Sequence, residues 1–202
     1  ENALFDAGSL AVSDVGRRIV APFLDYKGIS RIDTLFISHN DIDHINGIPE
    51  VVEHCEVGRI CANELFFDDA DQWGAAKLLA DSVGGAGFEI KRASPRYEFR
   101  ARARMENIWP GALQGSPRDF SENDKSLVMM IEFAGRKILL CSDIEKAAQK
   151  ELLGLYPELR ADVVIAPHHG SRQTTDPEFL DTIAPEIVIY SCAPRMCENR
   201  PV

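Results

Sequence analysis

Three short apolar runs each end in acidic or imidazole side chains, and this recurrence constrains the fold more than any other feature of the chain. Ile32-Asp33-Thr34-Leu35-Phe36-Ile37-Ser38 is β-branched and apolar, reads as a buried strand, and runs directly into His39-Asn40-Asp41-Ile42-Asp43-His44. Asp162-Val163-Val164-Ile165-Ala166-Pro167 is a second such run and ends in His168-His169-Gly170-Ser171. Lys137-Ile138-Leu139-Leu140 is a third, ending in Cys141-Ser142-Asp143 ahead of a helical stretch. Four of the five histidines thus stand at the ends of two strands. His54 falls in a helical stretch without a ligand partner and reads as a surface histidine.

One His, Asp or Asn in a turn calls only for a polar turn. Two His and two Asp within six residues call for more, because imidazole nitrogens and carboxylate oxygens alternating along a turn can face two neighbouring ions. The rest of the pattern places these loops. Strands are predicted near 3–6, 33–38, 88–92, 97–105, 126–133, 137–141, 162–166 and 186–191, and helices near 14–27, 48–55, 71–83, 143–154 and 176–183. Gly28 suits the stop of the first helix, and Ala134-Gly135 a hairpin turn. Helices interspersed with strands suit a layered α/β (α+β) sandwich whose loops carry the site.

In order and spacing, the motifs resemble the metallo-β-lactamase fold, and within it the hydrolase domain of the ComEC/Rec2 competence (DNA uptake) proteins. The motifs are His-x-Asp-x-Asp-His after a strand, an Asp after a later strand, and His-His-Gly-Ser after another. Leu4-Phe5-Asp6-Ala7-Gly8 resembles the family's first Asp-x-Gly motif, Gly16 through Gly28 its following helix, and Glu122-Asn123-Asp124-Lys125-Ser126-Leu127-Val128 an Asn-rich motif ahead of a strand. The resemblance covers nearly the whole chain and implies a four-layer αββα sandwich and a divalent-metal-dependent hydrolase. The pair His39-x-Asp41 replaces the His-x-His of zinc members, as in the DNA-uptake subgroup. Ser142 stands where the family usually has Gly, and 116–128 lacks the histidine that many members use as a third ligand, leaving Asn123 or Asp124 for that place.

Carried onto this sequence, the resemblance assigns His39 and Asp41 to one ion, Asp43 and His44 to the other, and Asp143 to a bridge, with ions about 3.5–4 Å apart. One of His168 and His169 binds metal or donates a proton, and the other is held by packing or hydrogen bonds. Asp43, His168 and His169 are the catalytic candidates, and Asp6 reads as a supporting residue. Ser171 either hydrogen-bonds phosphate or caps a helix. The oxygen-rich ligand set favours two Mn²⁺ ions, with Zn²⁺ the alternative. The implied activity is a nuclease or phosphodiesterase acting on DNA in connection with DNA uptake. Hydrolysis of a small phosphodiester or other ester, or a non-catalytic module retaining the fold, are the alternatives.

A length of 202 residues with 45 % hydrophobic content suits one metallo-β-lactamase-like domain, 1–202, without an internal linker. No run of 18 apolar residues appears, so the chain as given reads as soluble. Glu1 opens almost onto a strand, without Met, which reads as a piece of a longer protein. The remainder could hold membrane-channel domains, placing this piece outside the cytoplasm; otherwise it is cytoplasmic. The five cysteines form an odd set without a C-x-x-C pair, which argues against a disulfide framework, a structural zinc knuckle and any disulfide-linked partner. Cys141 reads as a small buried hydrophobe, and Cys192 and Cys197 pair with each other or not at all.

Net charge of −10 excludes a protein that grips nucleic acid by bulk electrostatics. Between Lys91 and Arg104, however, Arg100, Arg102 and Arg104 alternate, and on a strand they would share one face. That face is either a phosphate track for DNA or a solvated outer strand.

Overall fold

The computed structural model describes residues 1–70, 74–99, 102–111 and 120–191. The chain divides into two compact units, residues 1–93 and 94–202, each with its own sheet and core.

In chain order the first unit contains β1 (Ala3–Phe5), a wide helical turn at Gly16–Val20 leading into α1 (Ala21–Lys27), β2 (Arg31–Ile32) and β3 (Thr34–Ile37). It continues with α2 (Ile42–Ile45), α3 (Ile48–His54), β4 (Glu56–Val57), β5 (Ile60–Ala62), α4 (Glu64–Ala70), α5 (Ala75–Gly85) and β6 (Ile90–Arg92). Its main sheet runs β1-β3-β5-β6 with every pairing parallel. An inner parallel strand is covered on both faces, which is why Thr34-Leu35-Phe36-Ile37 is buried at all four residues. The helices contribute apolar residues at helical spacing: Ile48, Val51 and Val52 from α3, and Ala76, Leu79 and Val83 from α5, all in one core with Leu35, Ile37, Ile60 and Phe66. Gly28 ends α1 in the left-handed conformation at φ 67°, as its place after the last apolar residue foretold.

The second unit contains β7 (Arg96–Glu98), β8 (Arg104–Trp109), β9 (Val128–Phe133), β10 (Arg136–Leu140), α6 (Lys146–Leu155), β11 (Val163–Ile165), α7 (Pro177–Ile183) and β12 (Ile187–Ile189). The order is β12-β11-β10-β9-β8-β7, antiparallel from β7 to β10 and parallel from β10 to β12. Ala134 and Gly135 form the predicted hairpin, both at positive φ (51° and 77°), as a tight two-residue turn requires. Since β10, β11 and β12 run the same way, their carboxyl ends emerge on one edge, and a hydrogen bond from His168 N to Ser142 O (2.9 Å) ties the first two loops together.

Three expectations change. The strand predicted over 97–105 is instead a hairpin: β7 ends at Glu98, Phe99 N donates to Ala103 O (2.9 Å), Arg102 N to Phe99 O (3.0 Å), and β8 begins at Arg104. Arg102 lies in the turn at φ 61°, so it and Arg104 do not share a strand face; Arg100 lies outside the described residues. Of the helix predicted over 71–83, residues 71–73 lie outside the described residues and α5 spans Ala75–Gly85, with the unforeseen α4 before it. β5 also escaped the sequence reading, since three buried residues, Ile60-Cys61-Ala62, are too few to show a period.

Candidate metal centre

In the first unit the ligand loop leaves β3 and closes into the single turn of α2, against the segment that follows β1. Ala7 N donates to His44 O (2.9 Å) and Gly47 N to Ala7 O (2.8 Å). A Cβ on Gly8 would collide with the Asp43 carbonyl group, so glycine is what allows the two segments to approach. Asp41 stands at the N-cap position of α2, Asp43 in its first turn, and His44 in its last.

A small hydrogen-bond network sets the chemistry of both imidazoles. The Asp6 carboxylate accepts from Ser38 N at Oδ1 (2.8 Å), and from Ser38 Oγ (2.7 Å) and His44 Nδ1 (2.8 Å) at Oδ2. Having donated its proton to Asp6, Ser38 Oγ is left to accept from His39 Nδ1 (2.9 Å). Both histidines thus carry their proton on Nδ1 and keep a lone pair on Nε2, the form that binds metals. Their rings lie 4.2 Å apart and are buried, His39 to 4 % exposure and His44 to 7 %. Among the described residues His39 Nε2 has no hydrogen-bond partner, yet the Asp41 carboxylate stands 3.6 Å from it. A lone pair facing a carboxylate is repulsive unless positive charge lies between them. Asn63, after β5, holds the loop from below by donating to Ser38 O (2.9 Å) and capping α4 through Phe66 N (3.0 Å).

In the second unit the edge at β10 and β11 brings Asp143, His168 and His169 together. Asp143 is buried, with Oδ2 3.4 Å from His169 Nε2 and 3.9 Å from His168 Nε2. His169 Nδ1 donates to Ser191 O (2.8 Å), so its Nε2 carries the lone pair and again meets a carboxylate. His168 Nδ1 lies 3.2 Å from Glu145 Oε1, a neighbour the sequence did not point to. Ser142, in place of the family's glycine, takes φ 49°, where glycine is at ease, and donates its hydroxyl to Leu127 O (2.6 Å). His168, His169 and Gly170 follow one another at φ 45°, 55° and 75°.

Asp124 and Asn123 have other work. Asp124 is buried, and its Oδ1 accepts from Glu145 N (2.7 Å) and Ala148 N (3.2 Å), capping α6, while Oδ2 accepts from Ser121 Oγ (3.1 Å). Its carbonyl takes the Trp109 indole proton (2.7 Å), and Asn123 donates to Glu145 Oε1 (3.1 Å). A carboxylate so engaged is a structural anchor, not an open ligand, which corrects the expectation for Asp124. Ser171 is not the cap of α7; that is Asp176, which accepts from Glu178 N (3.0 Å). His54 pairs with Asp25 (2.9 Å), away from the ligand loop. Cys55, Cys61 and Cys141 are free thiols, and complete burial pushes the Cys141 thiol far up. Cys192 and Cys197 lie outside the described residues.

The chain belongs to the metallo-β-lactamase superfamily, whose family model matches residues 1–193, and it has that family's fold of mixed helices and sheets. It is similar to ComE operon protein 3 of Bacillus subtilis, 30 % identical over 180 residues covering 88 % of this chain and 22 % of that protein. It is also similar to competence protein ComA of Neisseria gonorrhoeae, 26 % identical over 189 residues, 93 % of this chain and 23 % of that protein. The chain therefore spans under a quarter of the length of these relatives. Among solved structures it resembles a diphosphatase of the PhnP family, at a TM-score of 0.50 and 14 % identity, covering 99 % of this chain and 74 % of that one. Among the described residues no helix is long and apolar enough to cross a membrane.

Proposed function

We propose that the chain is a divalent-metal-dependent phosphodiesterase that cuts DNA in connection with DNA uptake. The observation that carries this reading is the pairing of an Nε2 lone pair with a carboxylate in each unit, His39 with Asp41 and His169 with Asp143. Cations resolve both repulsions. On this reading His39, Asp41, Asp43 and His44 are the ion ligands that the first unit contributes, and Asp143 and His169 those of the second. Bound there, the ions would supply Lewis-acid stabilisation of charge on a phosphoryl oxygen and lower the pKa of water.

The chain's own residues do the rest. Asp6 and Ser38 hold two imidazoles in the ligating tautomer, and Ser191 O holds a third. On this reading His168, whose Nδ1 lies 3.2 Å from Glu145 Oε1, is the group that passes a proton to the departing oxygen of the diester. DNA is favoured as substrate by the similarity to two proteins from competence systems. In a longer protein of that kind, membrane-channel domains would be the partners.

A second reading, hydrolysis of a small phosphodiester, draws on Arg102 lying in a turn and on the net charge of −10, which leave no evident phosphate track among the described residues. Digestion of single-stranded and duplex DNA beside a small chromogenic phosphodiester, after metal removal and reconstitution, separates the two. The nuclease reading requires DNA cleavage that Asp43→Ala and His44→Ala abolish while circular dichroism stays unchanged. Cleavage of the small ester alone would establish the second reading.

A further inference from the structure

We propose that the outward face of the wide turn at Gly16–Val20 and of α1 rests on a phospholipid bilayer, with Ile19, Phe23 and Tyr26 among the acyl chains and Arg18 and Lys27 at the headgroup phosphates. A surface helix ordinarily has one apolar face, and this one has two. The inward face is taken: Val20 and Leu24 pack into the core of the first unit, and Ala21 is also buried. Ile19, Phe23 and Tyr26 follow one another at intervals of four and three on the opposite side, 50 %, 54 % and 83 % exposed, and Pro22 is exposed with them. Apolar side chains scattered singly over a surface call for no explanation, but a line of them along one helix does.

Charge brackets this line. Arg17 and Arg18 precede it and Lys27 ends it, the Lys27 ammonium lying over the rings of Phe23 (5.7 Å) and Tyr26 (5.4 Å). Asp25 of the same helix is held by His54 (2.9 Å), and Glu53 of α3 by Arg17 (3.6 Å). Among the described residues this leaves Arg18 and Lys27 without a carboxylate partner; Arg18 Nη1 donates to Ser13 Oγ (3.4 Å).

These features select the occupant. Apolar side chains in the middle with cations at either end match the layers of a bilayer interface, where aromatic rings and the stems of Lys and Arg sit between acyl chains and phosphates. A second copy of the chain needs roughly 800 Å² from each partner, and three side chains on one ridge offer a fraction of that. Acyl chains set no such minimum, since they close around a ridge of any shape. Among the described residues no helix is long and apolar enough to cross a membrane; this one lies along it.

The test is flotation with vesicles of phosphatidylcholine, with and without phosphatidylglycerol. The chain is expected to float with both. Phe23→Gln with Tyr26→Gln should weaken partitioning at least about tenfold, the scale for withdrawing two aromatic side chains from an apolar phase. Phosphatidylglycerol should strengthen binding about threefold to tenfold, less than two cations give on a neutral protein, because the net charge of −10 opposes it. Arg18→Gln with Lys27→Gln should remove that gain and leave binding to phosphatidylcholine unchanged. Leu78→Ser, which removes a lone exposed apolar residue of α5, should change nothing. All these positions are exposed, so circular dichroism should stay the same. Failure to float with either vesicle overturns the assignment, as does flotation indifferent to Phe23→Gln with Tyr26→Gln or weakened equally by Leu78→Ser. Self-association in analytical ultracentrifugation that the Phe23 and Tyr26 changes abolish would give the face to a second copy and likewise overturn it. None of these outcomes bears on hydrolysis, so the nuclease reading stands or falls separately.

Discussion

Asp6 touches none of the proposed reacting atoms, yet it fixes which nitrogen of His44 carries the proton. Asp6→Asn keeps the shape and exchanges an acceptor for a donor. Facing an amide N–H, His44 Nδ1 must become the acceptor, and the proton moves to Nε2, where it blocks a metal. Metal affinity is expected to fall about 10- to 100-fold, the range for groups that orient ligating histidines. Equilibrium dialysis measures this, and circular dichroism shows whether the fold is kept. Unchanged affinity would mean that His44 does not ligate through Nε2.

Two elements depend on residues that reach across the second unit. Gln149 of α6 spends its whole amide on Ile144 O (2.8 Å), Thr174 O and Asp176 N. Gln149→Leu would strand three backbone groups, two of them in the loop before α7. The expected loss is about 2–4 kcal/mol in denaturant unfolding, the scale for breaking a buried and satisfied network. At the other edge of the sheet Asp162 accepts from Lys137 N (2.7 Å) and Arg136 Nη1 (2.6 Å), and these bonds hold its carboxyl below the usual carboxylate range. A depressed pKa contributes stability that is complete above the unfolded value, about 3.9, and is lost as pH falls through the folded one. The Tm gap between the native chain and Asp162→Asn should therefore stay constant well above the unfolded value and close as pH falls through the folded one. A gap that widened on acidification would contradict this.

For the molecule as a whole, the strand ends and their histidines were legible because each is a local event: an apolar run followed by ligands. What was not legible acts at a distance or leaves no mark. Glu145 beside His168, Asn63 beneath the ligand loop and Asp124 as the cap of α6 are contacts between residues more than twenty apart in sequence. The hairpin after β7 was missed because Phe99-Arg100-Ala101-Arg102-Ala103 contains no Gly, Pro or Asn to announce a turn, and Arg102 supplies the left-handed residue. The ligand set proposed for the whole chain sets its metal preference. With Asp41, Asp43 and Asp143 among the ligands, reconstituted protein should carry two ions and turn over faster with Mn²⁺ than with Zn²⁺. Elemental analysis below one ion per chain, or a clear zinc optimum, would count against it.

The backbone at His168 and His169 carries a further consequence. For three residues the chain coils in the hand that L-amino acids avoid, and only the last is glycine. Each of the two histidines holds strain of roughly 1–2 kcal/mol that glycine or asparagine would relieve. If the proposed function holds, stability and catalysis pull these two codons in opposite directions. A library randomised at both positions and selected only for survival of heating should drift to glycine and asparagine, gaining Tm while losing hydrolysis. Drift in the wild would follow the same path, so a relative that had abandoned its chemistry would betray this first at these two sites, while the strands around them still looked intact.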